Sequence, residues 1–248
     1  MSVLRSIQRR AEEPELMDDF TIGGAALREA LHHLRLLNRI FGASAPTLYG
    51  VKRLWLDAGK PRKLTILDIG CGSGDVNAHL LKWADRNRIE LQLVLIDITE
   101  EACEEARLYF QNEPRVQVRK DDLFSLPEAC ADIITGTQFV HHFAADELPG
   151  VVDKMLKASR LGVVINDIHR HWIPWAAVWL VTRMLSNNRY ILHDGPLSVA
   201  KGFRSADWQH LRKTLDTPEM FYAWRPLFRY VVVLNKTRSN SNNGVEQG

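Results

Sequence analysis

Apolar residues follow two spacings along this chain, and the change from one to the other predicts a layered α/β fold. Between residues 24 and 41, apolar side chains recur at helical spacing from Leu27 to Phe41, and a shorter helical pattern covers 47–58. From Leu64 onward, short apolar runs alternate with helical segments. Such continuous runs are typical of parallel strands that are covered by helices on both faces.

The alternation predicts five strands, at 64–69, 91–96, 116–119, 132–136 and 161–166, with helices at 75–88, 100–111 and 146–159. Right-handed crossovers between these units give a parallel, doubly wound sheet. The pattern then changes. We expect a Trp-rich apolar segment at 172–185, a polar loop after it, a helix at 206–215 and two antiparallel strands at 220–224 and 228–234.

These patterns divide the chain into a helical N-terminal cap at 1–60, an α/β domain at 61–235 and a polar tail at 236–248 that is expected to be disordered. The α/β domain carries an insertion at 168–202. The cap either forms part of a lid over the ligand or only covers a sheet edge. The lid is considered because ligands of open α/β sheets bind at the carboxyl ends of the strands, and both interpretations stay open.

Composition narrows the class of protein. The chain has 248 residues, 46% of them hydrophobic, and a net charge of +2, which by itself gives no reason to expect a protein that binds nucleic acid or a membrane surface. Its three cysteines show no metal-ligand spacing, so we expect no metal site, and their odd number suits a reducing cytoplasm. No signal peptide is evident, and the longest apolar stretch, 172–181, is too short to cross a bilayer.

Candidate chemistry begins in the stretch LTILDIGCGSGD at 64–75, where a buried strand meets a helix through Gly70, Gly72 and Gly74. The unpaired amides of the helix N-terminus suit an anionic part of a ligand. The glycine spacing differs from the dinucleotide fingerprint G-x-G-x-x-G, and no Gly-Lys-Ser/Thr follows it. Asp68 is poorly placed beside a pyrophosphate and better placed beside an ammonium group.

Two further acids end neighbouring strands. Asp97 follows the second strand, where a carboxylate can accept hydrogen bonds from ribose hydroxyls. Asp122 follows the third strand and could accept from an adenine amino group, with Asp121 as the alternative. An amino acid end, a ribose and an adenine are the parts of S-adenosylmethionine.

With these motifs the chain resembles the class I S-adenosylmethionine-dependent methyltransferases over about residues 60–235. The resemblance is carried by LDIGCGSGD at 67–75, VLIDIT at 94–99 and DLFSLP at 122–127. It implies a Rossmann-like, mostly parallel seven-stranded sheet in the order 3-2-1-4-5-7-6 with an antiparallel last strand. It also implies S-adenosyl-L-methionine as methyl donor and S-adenosyl-L-homocysteine as product. The donor site that it implies comprises Asp68, Gly70, Cys71, Gly72, Asp97, Ile98, Asp122, Leu123 and Thr137.

The end of the fourth strand bears on the methyl acceptor. It lacks the Asn/Asp-Pro-Pro-aromatic motif of enzymes that methylate base amines, and its VHHF at 140–143 resembles the small-molecule branch that is similar to ubiquinone and menaquinone methyltransferases. His141 and His142 lie in this loop, and His169 follows the fifth strand. We expect all three near the acceptor, with His142 favoured as the base.

The Trp-rich segment at 172–185 has three interpretations: a core helix, a wall of the acceptor pocket, or a shallow membrane contact. Tyr190, His193 and Asp194 after it could line the pocket. The sequence thus predicts a methyltransferase for a small aromatic or polyketide/quinone-like acceptor, with oxygen as the favoured methyl-accepting atom. A non-catalytic donor-binding module and an RNA or protein methyltransferase are the alternatives, and the oligomeric state stays open.

Overall fold

A seven-stranded sheet with helices on both faces forms the centre of the computed structural model, which describes residues 7–19, 23–215 and 219–236. The strand order is β3-β2-β1-β4-β5-β7-β6. β7 runs antiparallel to β5 and β6, and the pairs formed by β1 to β5 are parallel. This is the predicted class I methyltransferase topology, which is confirmed. The strands are β1 Lys63–Ile69, β2 Glu90–Asp97, β3 Val116–Lys120, β4 Ala131–Thr137, β5 Ser159–Ile168, β6 Met220–Arg225 and β7 Arg229–Asn235.

Eight α-helices lie wholly within the described part of the chain: α1 Ala25–Ile40, α2 Ser44–Asp57, α3 Ala78–Asn87, α4 Glu100–Tyr109, α5 Leu148–Ala158, α6 Trp172–Leu185, α7 Arg189–Lys201 and α8 Ser205–Thr214. The prediction of a polar loop after the Trp-rich segment is wrong, because that stretch forms the helix α7. Asn188 caps α7 by accepting a hydrogen bond from the Tyr190 amide, and Tyr190, Ile191 and Val199 are buried. Burial of these side chains outweighs the polar appearance of the sequence.

Two apolar layers bury the sheet on its opposite faces. On one face, Leu67, Ile134 and Val163 pack with side chains of α5 and with Trp208 of α8. The other face is covered by α2 and α3. Because the central strands are buried on both faces, their sequences are continuous apolar runs rather than alternating ones.

The two N-terminal helices have different positions. α2 packs directly on the sheet, where a Cβ added to Gly50 would lie 2.4 Å from Cγ1 of Val164. α1 and residues 7–19 instead cross the carboxyl edge of the strands. The described residues before β1 therefore comprise a sheet-covering helix and a separate cover over the strand ends.

Residues 237–248, nearly all of the tail for which disorder is expected, lie outside the described residues. Among the helices that the structure describes, none has the length and apolar character needed to cross a membrane.

Candidate active site at the carboxyl edge of the sheet

A cavity of about 760 Å³ lies between the carboxyl ends of the strands and the segment at 7–19, which we call the N-terminal strap. Its volume is near the upper end of small-molecule sites, roughly 300–1,000 Å³. The sheet side is formed by the glycine loop and the residues after β2, β3 and β4. The strap, α1 and α7 form the opposite side.

Each glycine of the loop has a positive φ, 61° at Gly70, 53° at Gly72 and 72° at Gly74. A Cβ on Gly70 would lie 2.6 Å from Phe139 Cδ2, and one on Gly74 would lie 2.7 Å from Leu95 Cδ1. At Gly72 the nearest such atom is 3.9 Å away. Two glycines therefore permit close packing of the loop, whereas Gly72 leaves its backbone open to a ligand in the cavity.

Asp97 is fixed by the loops on either side of it. Its Oδ2 accepts a hydrogen bond from the Gly72 amide at 2.9 Å, and its Oδ1 accepts from the amide and hydroxyl of Thr99 at 3.0 and 2.9 Å. A carboxylate offers about four acceptor positions, so capacity remains for a ligand hydroxyl. These hydrogen bonds thus hold Asp97 in place at the cavity wall.

Asp68 is buried, with 3% of its surface exposed. Thr135 donates to its Oδ1, and Asn77 donates to its Oδ2 at 2.6 Å. Burial raises the pKa of Asp68 to about 6, because neither neutral donor compensates fully for lost solvent. A cationic group beside Asp68 would favour its ionised form. The contact between Asp68 and a ligand ammonium group stays a prediction.

The two acids after β3 have different partners. Asp121 accepts hydrogen bonds from the Asp122 amide and the Ser125 hydroxyl, and it pairs with Arg119 at 3.1 Å. Asp122 accepts from the Phe124 amide at 3.2 Å and is exposed at the cavity. The local turn uses Asp121 more fully, which leaves Asp122 better able to accept from a ligand.

The remaining predicted donor residues also line the cavity: Cys71, Ile98, Leu123 and Thr137. The Cys71 amide donates to the Ile96 carbonyl at 3.0 Å, which ties the glycine loop to β2. The Thr137 hydroxyl lies 2.7 Å from that of Thr47. Cys71 and Thr137 therefore also hold neighbouring segments together.

His141 is engaged on both sides of its ring. Its Nδ1 lies 2.8 Å from Asp167 Oδ1, its Nε2 lies 3.5 Å from Glu15 Oε1, and only 2% of the residue is exposed. Burial alone would lower the pKa of His141, but the two carboxylates outweigh it and raise the pKa to about 9. His141 is thus held as an imidazolium, which makes it unsuited to act as the base near neutral pH.

His142 lines the cavity and is paired with a residue that the sequence did not single out. Its Nδ1 lies 2.7 Å from Asp18 Oδ1. Asp18 also accepts from the Glu15 amide at 2.9 Å and lies 3.3 Å from Lys201 Nζ. Burial would raise the pKa of Asp18, but the hydrogen bond from His142 and the positive neighbours hold it well below its usual value. Because Nδ1 of His142 is paired with Asp18, Nε2 is the ring nitrogen that remains for a methyl acceptor.

Further contacts attach the strap to the rest of the site. Arg10 donates to the carbonyls of His141 and Phe143, each at 2.9 Å, and to that of Lys201 at 2.7 Å. Asp194 accepts from the strap amides of Leu16 and Met17 at 2.8 and 3.0 Å. These bonds join positions far apart in the chain, so no local motif signals them.

The candidates after β5 occupy different places. Asp194 lines the cavity, and His193 pairs with it at 2.7 Å. Tyr190 is buried with Ala30 and Leu37 and does not line the cavity. Along α6, every residue of which is described, none lines the cavity either, so the expected pocket wall is supplied by α7 instead.

The expectation that His169 lies near the acceptor is not met. β5 continues to Ile168, and His169 then bridges to Phe203 while its amide donates to the Phe228 carbonyl at 2.9 Å. These bonds direct the chain toward the β6–β7 hairpin, outside the cavity. Burial lowers the pKa of His169 to about 4, assisted by the nearby positive charges.

One cluster has the ligand types of a metal site, since one ligand atom each from Glu15, His141 and His142 lie within 4.8 Å of one another. However, Lys201 Nζ lies 3.6 Å from Glu15 Oε1, and the carboxylates beside His141 raise its pKa and so favour the imidazolium, which cannot bind a metal. A second cation would be repelled by both groups. The cluster therefore suits ion pairing better than metal binding.

Comparisons with known proteins agree with this fold. Residues 66–162 match a family described as a methyltransferase domain. No curated protein matches the chain in sequence. A SAM-dependent methyltransferase from Aquifex aeolicus is similar in structure, with a TM-score of 0.57 and 15% identity over 84% of this chain and 97% of that one.

Human N-acetylserotonin methyltransferase in complex with SAM has a TM-score of 0.59 at 13% identity, covering 95% of this chain and 65% of that one. The CMeT domain of the citrinin polyketide synthase has a TM-score of 0.53 at 16% identity over 69% of this chain, which spans 46% of that chain. At such identities the structures show a shared fold. The matched domain at 66–162 and this shared fold together support a class I S-adenosylmethionine-dependent methyltransferase.

Proposed function

We propose that this methyltransferase methylates a hydroxyl oxygen of a small aromatic or quinone-like acceptor. The observation that carries the proposal is the Asp18–His142 pair, which lies at a cavity whose walls are rich in apolar side chains. A hydroxyl must lose its proton when its oxygen is methylated, and a histidine oriented by a carboxylate is suited to accept that proton.

The donor part of the proposal uses the glycine loop and the strand ends. Asp97 accepts from the ribose hydroxyls and Asp122 from the adenine amino group, with Ile98 and Leu123 beside the adenine. The open backbone at Gly72 fits the close approach of the methionine part. When bound, S-adenosylmethionine supplies an electrophilic methyl group.

The acceptor part uses the aromatic and aliphatic residues that remain, including Leu27, Leu31, Phe124, Phe139 and Phe143. Phe139 and Phe143 meet edge to face with their ring centroids 5.2 Å apart. Aromatic ligands pack favourably against such edges and faces. These side chains bury an aromatic ring and exclude water, while His142 remains available to its hydroxyl.

Asp18 acts as the positioning residue. By accepting from Nδ1–H of His142, it fixes the tautomer in which Nε2 accepts a proton, and it stabilises the imidazolium that results. Lys201 and the Glu15 amide in turn hold Asp18 in place. Positioned proton acceptors of this kind contribute about 10²–10⁴-fold to rate.

The test is a panel of phenols, hydroxyquinones, arylamines and carbon nucleophiles incubated with the purified chain and donor that carries a trideuterated methyl group. We expect phenols or hydroxyquinones to gain one labelled methyl, and NMR to place it on oxygen. Reactions without acceptor, and with the variant His142→Ala, are the controls. Transfer only to nitrogen or carbon, at a rate that His142→Ala leaves unchanged, would overturn the proposal.

A further inference from the structure

The outward face of α6 is almost entirely apolar. Its exposed positions are Trp172, Ile173, Ala176, Trp179, Leu180, Arg183, Met184 and Leu185, and all but the terminal Leu185 follow one side of the helix. The exposed fraction reaches 53% at Trp172, 54% at Leu180 and 74% at Met184. Isolated exposed apolar residues are common on proteins, but a continuous apolar face marks an interaction surface.

The opposite, buried side of α6 carries a polar residue. Thr182 is fully buried, and its hydroxyl donates to the Trp179 carbonyl at 3.1 Å. α6 packs through this side against α7, where a Cβ on Gly195 would lie 2.9 Å from Thr182 Cγ2. The orientation is thus fixed by packing, and the tryptophans face outward because the helix cannot rotate without losing that contact.

Charge around this face indicates the kind of partner. Residues 168–193 contain no Asp or Glu, and the exposed Arg183 and Arg189 belong to this stretch. Arg183 lies over the Trp179 ring, 4.1 Å from its centroid. A guanidinium on a long stem can remain with lipid headgroups while its neighbours enter the apolar layer, and basic residues near an anionic surface strengthen binding to it.

We propose that α6 docks the protein on an anionic phospholipid surface, lying parallel to it with Trp172, Trp179, Leu180 and Met184 in the interfacial layer. The helix has 14 residues. It is about 21 Å long at roughly 1.5 Å per residue, which suits a helix that lies on the membrane. Tryptophan is favoured at this depth because its ring is apolar and its N–H is polar.

Docking would also place the active site near the bilayer. α7 contacts α6 on one side and supplies Asp194, Ser198 and Lys201 to the cavity on the other. A lipophilic acceptor dissolved in the membrane would then reach the cavity over a short path. This last step rests on the proposed function, whereas membrane docking itself does not.

Vesicle co-sedimentation of the full chain tests the docking. We expect binding to vesicles of phosphatidylcholine with phosphatidylserine, and at least tenfold weaker binding after Trp179→Gln, Leu180→Gln and Met184→Gln are combined. The matched control combines Leu56→Gln and Leu108→Gln, which change residues with 51% and 58% exposure on α2 and α4. The control should bind as the unchanged protein does. Arg183→Gln should weaken binding to the anionic vesicles and not to phosphatidylcholine alone.

Several outcomes would overturn the proposal: no binding of the unchanged protein to anionic vesicles, or equal loss in the α6 variant and the control. Sedimentation velocity gives a further one. If the α6 face holds a dimer that the triple variant dissociates, and the dimer does not bind vesicles, the face is an interface between copies of the chain. Methylation of a water-soluble acceptor, measured without vesicles, separates failure of docking from failure of the proposed function.

Discussion

The two sides of the cavity are built differently. On the donor side, the separations along the chain are shorter: 9 residues between Asp68 and Asn77, 25 between Gly72 and Asp97, 67 between Asp68 and Thr135, and 90 between Thr47 and Thr137. On the acceptor side, Arg10 reaches the carbonyl of His141 across 131 residues, and Lys201 reaches Asp18 across 183.

This difference has a physical origin. The carboxyl ends of neighbouring parallel strands meet at one edge, so the topology alone brings the glycine loop and the strand-end acids together. Nothing comparable directs the strap to the cavity. It is held by ion pairs and buried hydrogen bonds, and these depend on protonation state. We therefore expect substitutions of single ligand-binding residues to change ligand affinity on the donor side. On the acceptor side, stability should in addition depend on pH.

The largest effect should come from His142. Its replacement by alanine removes the proton acceptor, and we expect kcat to fall by about 10²–10⁴-fold while the affinity for S-adenosylmethionine remains within about twofold. Steady-state kinetics with the acceptor found in the panel, and calorimetry for the donor, measure the two quantities. A parallel loss of donor affinity would show that the two sides are not separable.

Asp18→Asn is the matched variant for the positioning role. Asparagine keeps the size of the side chain but loses the charge, so we expect a smaller fall in kcat and an altered pH profile, with little change in KM. If Asp18→Asn changed only the melting temperature, the residue would merely hold the strap in place.

On the donor side, Asp97→Ala should lower affinity for S-adenosylmethionine by about 100-fold, since hydrogen bonds to a charged group are each worth about 1.5–3 kcal/mol. Calorimetry with S-adenosylmethionine and S-adenosylhomocysteine measures this loss. Glu113→Ala, at a carboxylate outside the cavity that is paired with Arg115, is the control. Unchanged donor affinity in Asp97→Ala would refute the ribose assignment.

The free energy of unfolding should depend on pH through His141, which belongs to the acceptor side of the cavity. The folded pKa of His141, about 9, is above its unfolded value of 6.5, so its contribution is complete below about pH 6.5 and is lost as pH rises through about 9. At roughly 1.36 kcal/mol per pKa unit, the loss is at most about 3 kcal/mol. Urea unfolding between pH 6.5 and 9.5 should show this decline.

His141→Asn supplies the control for that measurement. The variant lacks the titrating group, so its stability should be lower at pH 6.5 and should change less over the same range. Asp167 and Glu15, the carboxylates that face His141, both have pKa values below their usual ones and do not titrate there. An equal decline in both proteins would assign the pH dependence to another group.

The sequence predicts the sheet and the donor side of the cavity better than it predicts the acceptor side. Apolar periodicity predicts the strands and most helices to within a few residues, because burial on both faces leaves a strong pattern. It fails at α7, where a polar-looking stretch is a helix because Tyr190 and Ile191 are buried against α1. Asp97 and Asp122 could be singled out because strand ends mark them. Asp18 could not, since a carboxylate in a charged N-terminal stretch has no pattern until the strap packs over His142.

The smallest expected effect concerns the two acids after β3 and refines the donor side. Asp122→Ala removes a solvent-exposed acceptor, so we expect donor affinity to fall about fivefold, as suits one exposed hydrogen bond of about 1 kcal/mol. Its melting temperature should fall only slightly, through loss of the bond to the Phe124 amide. Asp121→Ala breaks the bonds to Ser125 and the Asp122 amide. It should therefore lower the melting temperature slightly and leave affinity within about twofold. Calorimetry and thermal unfolding of both variants decide the matter, and the reverse pattern would move the adenine contact to Asp121.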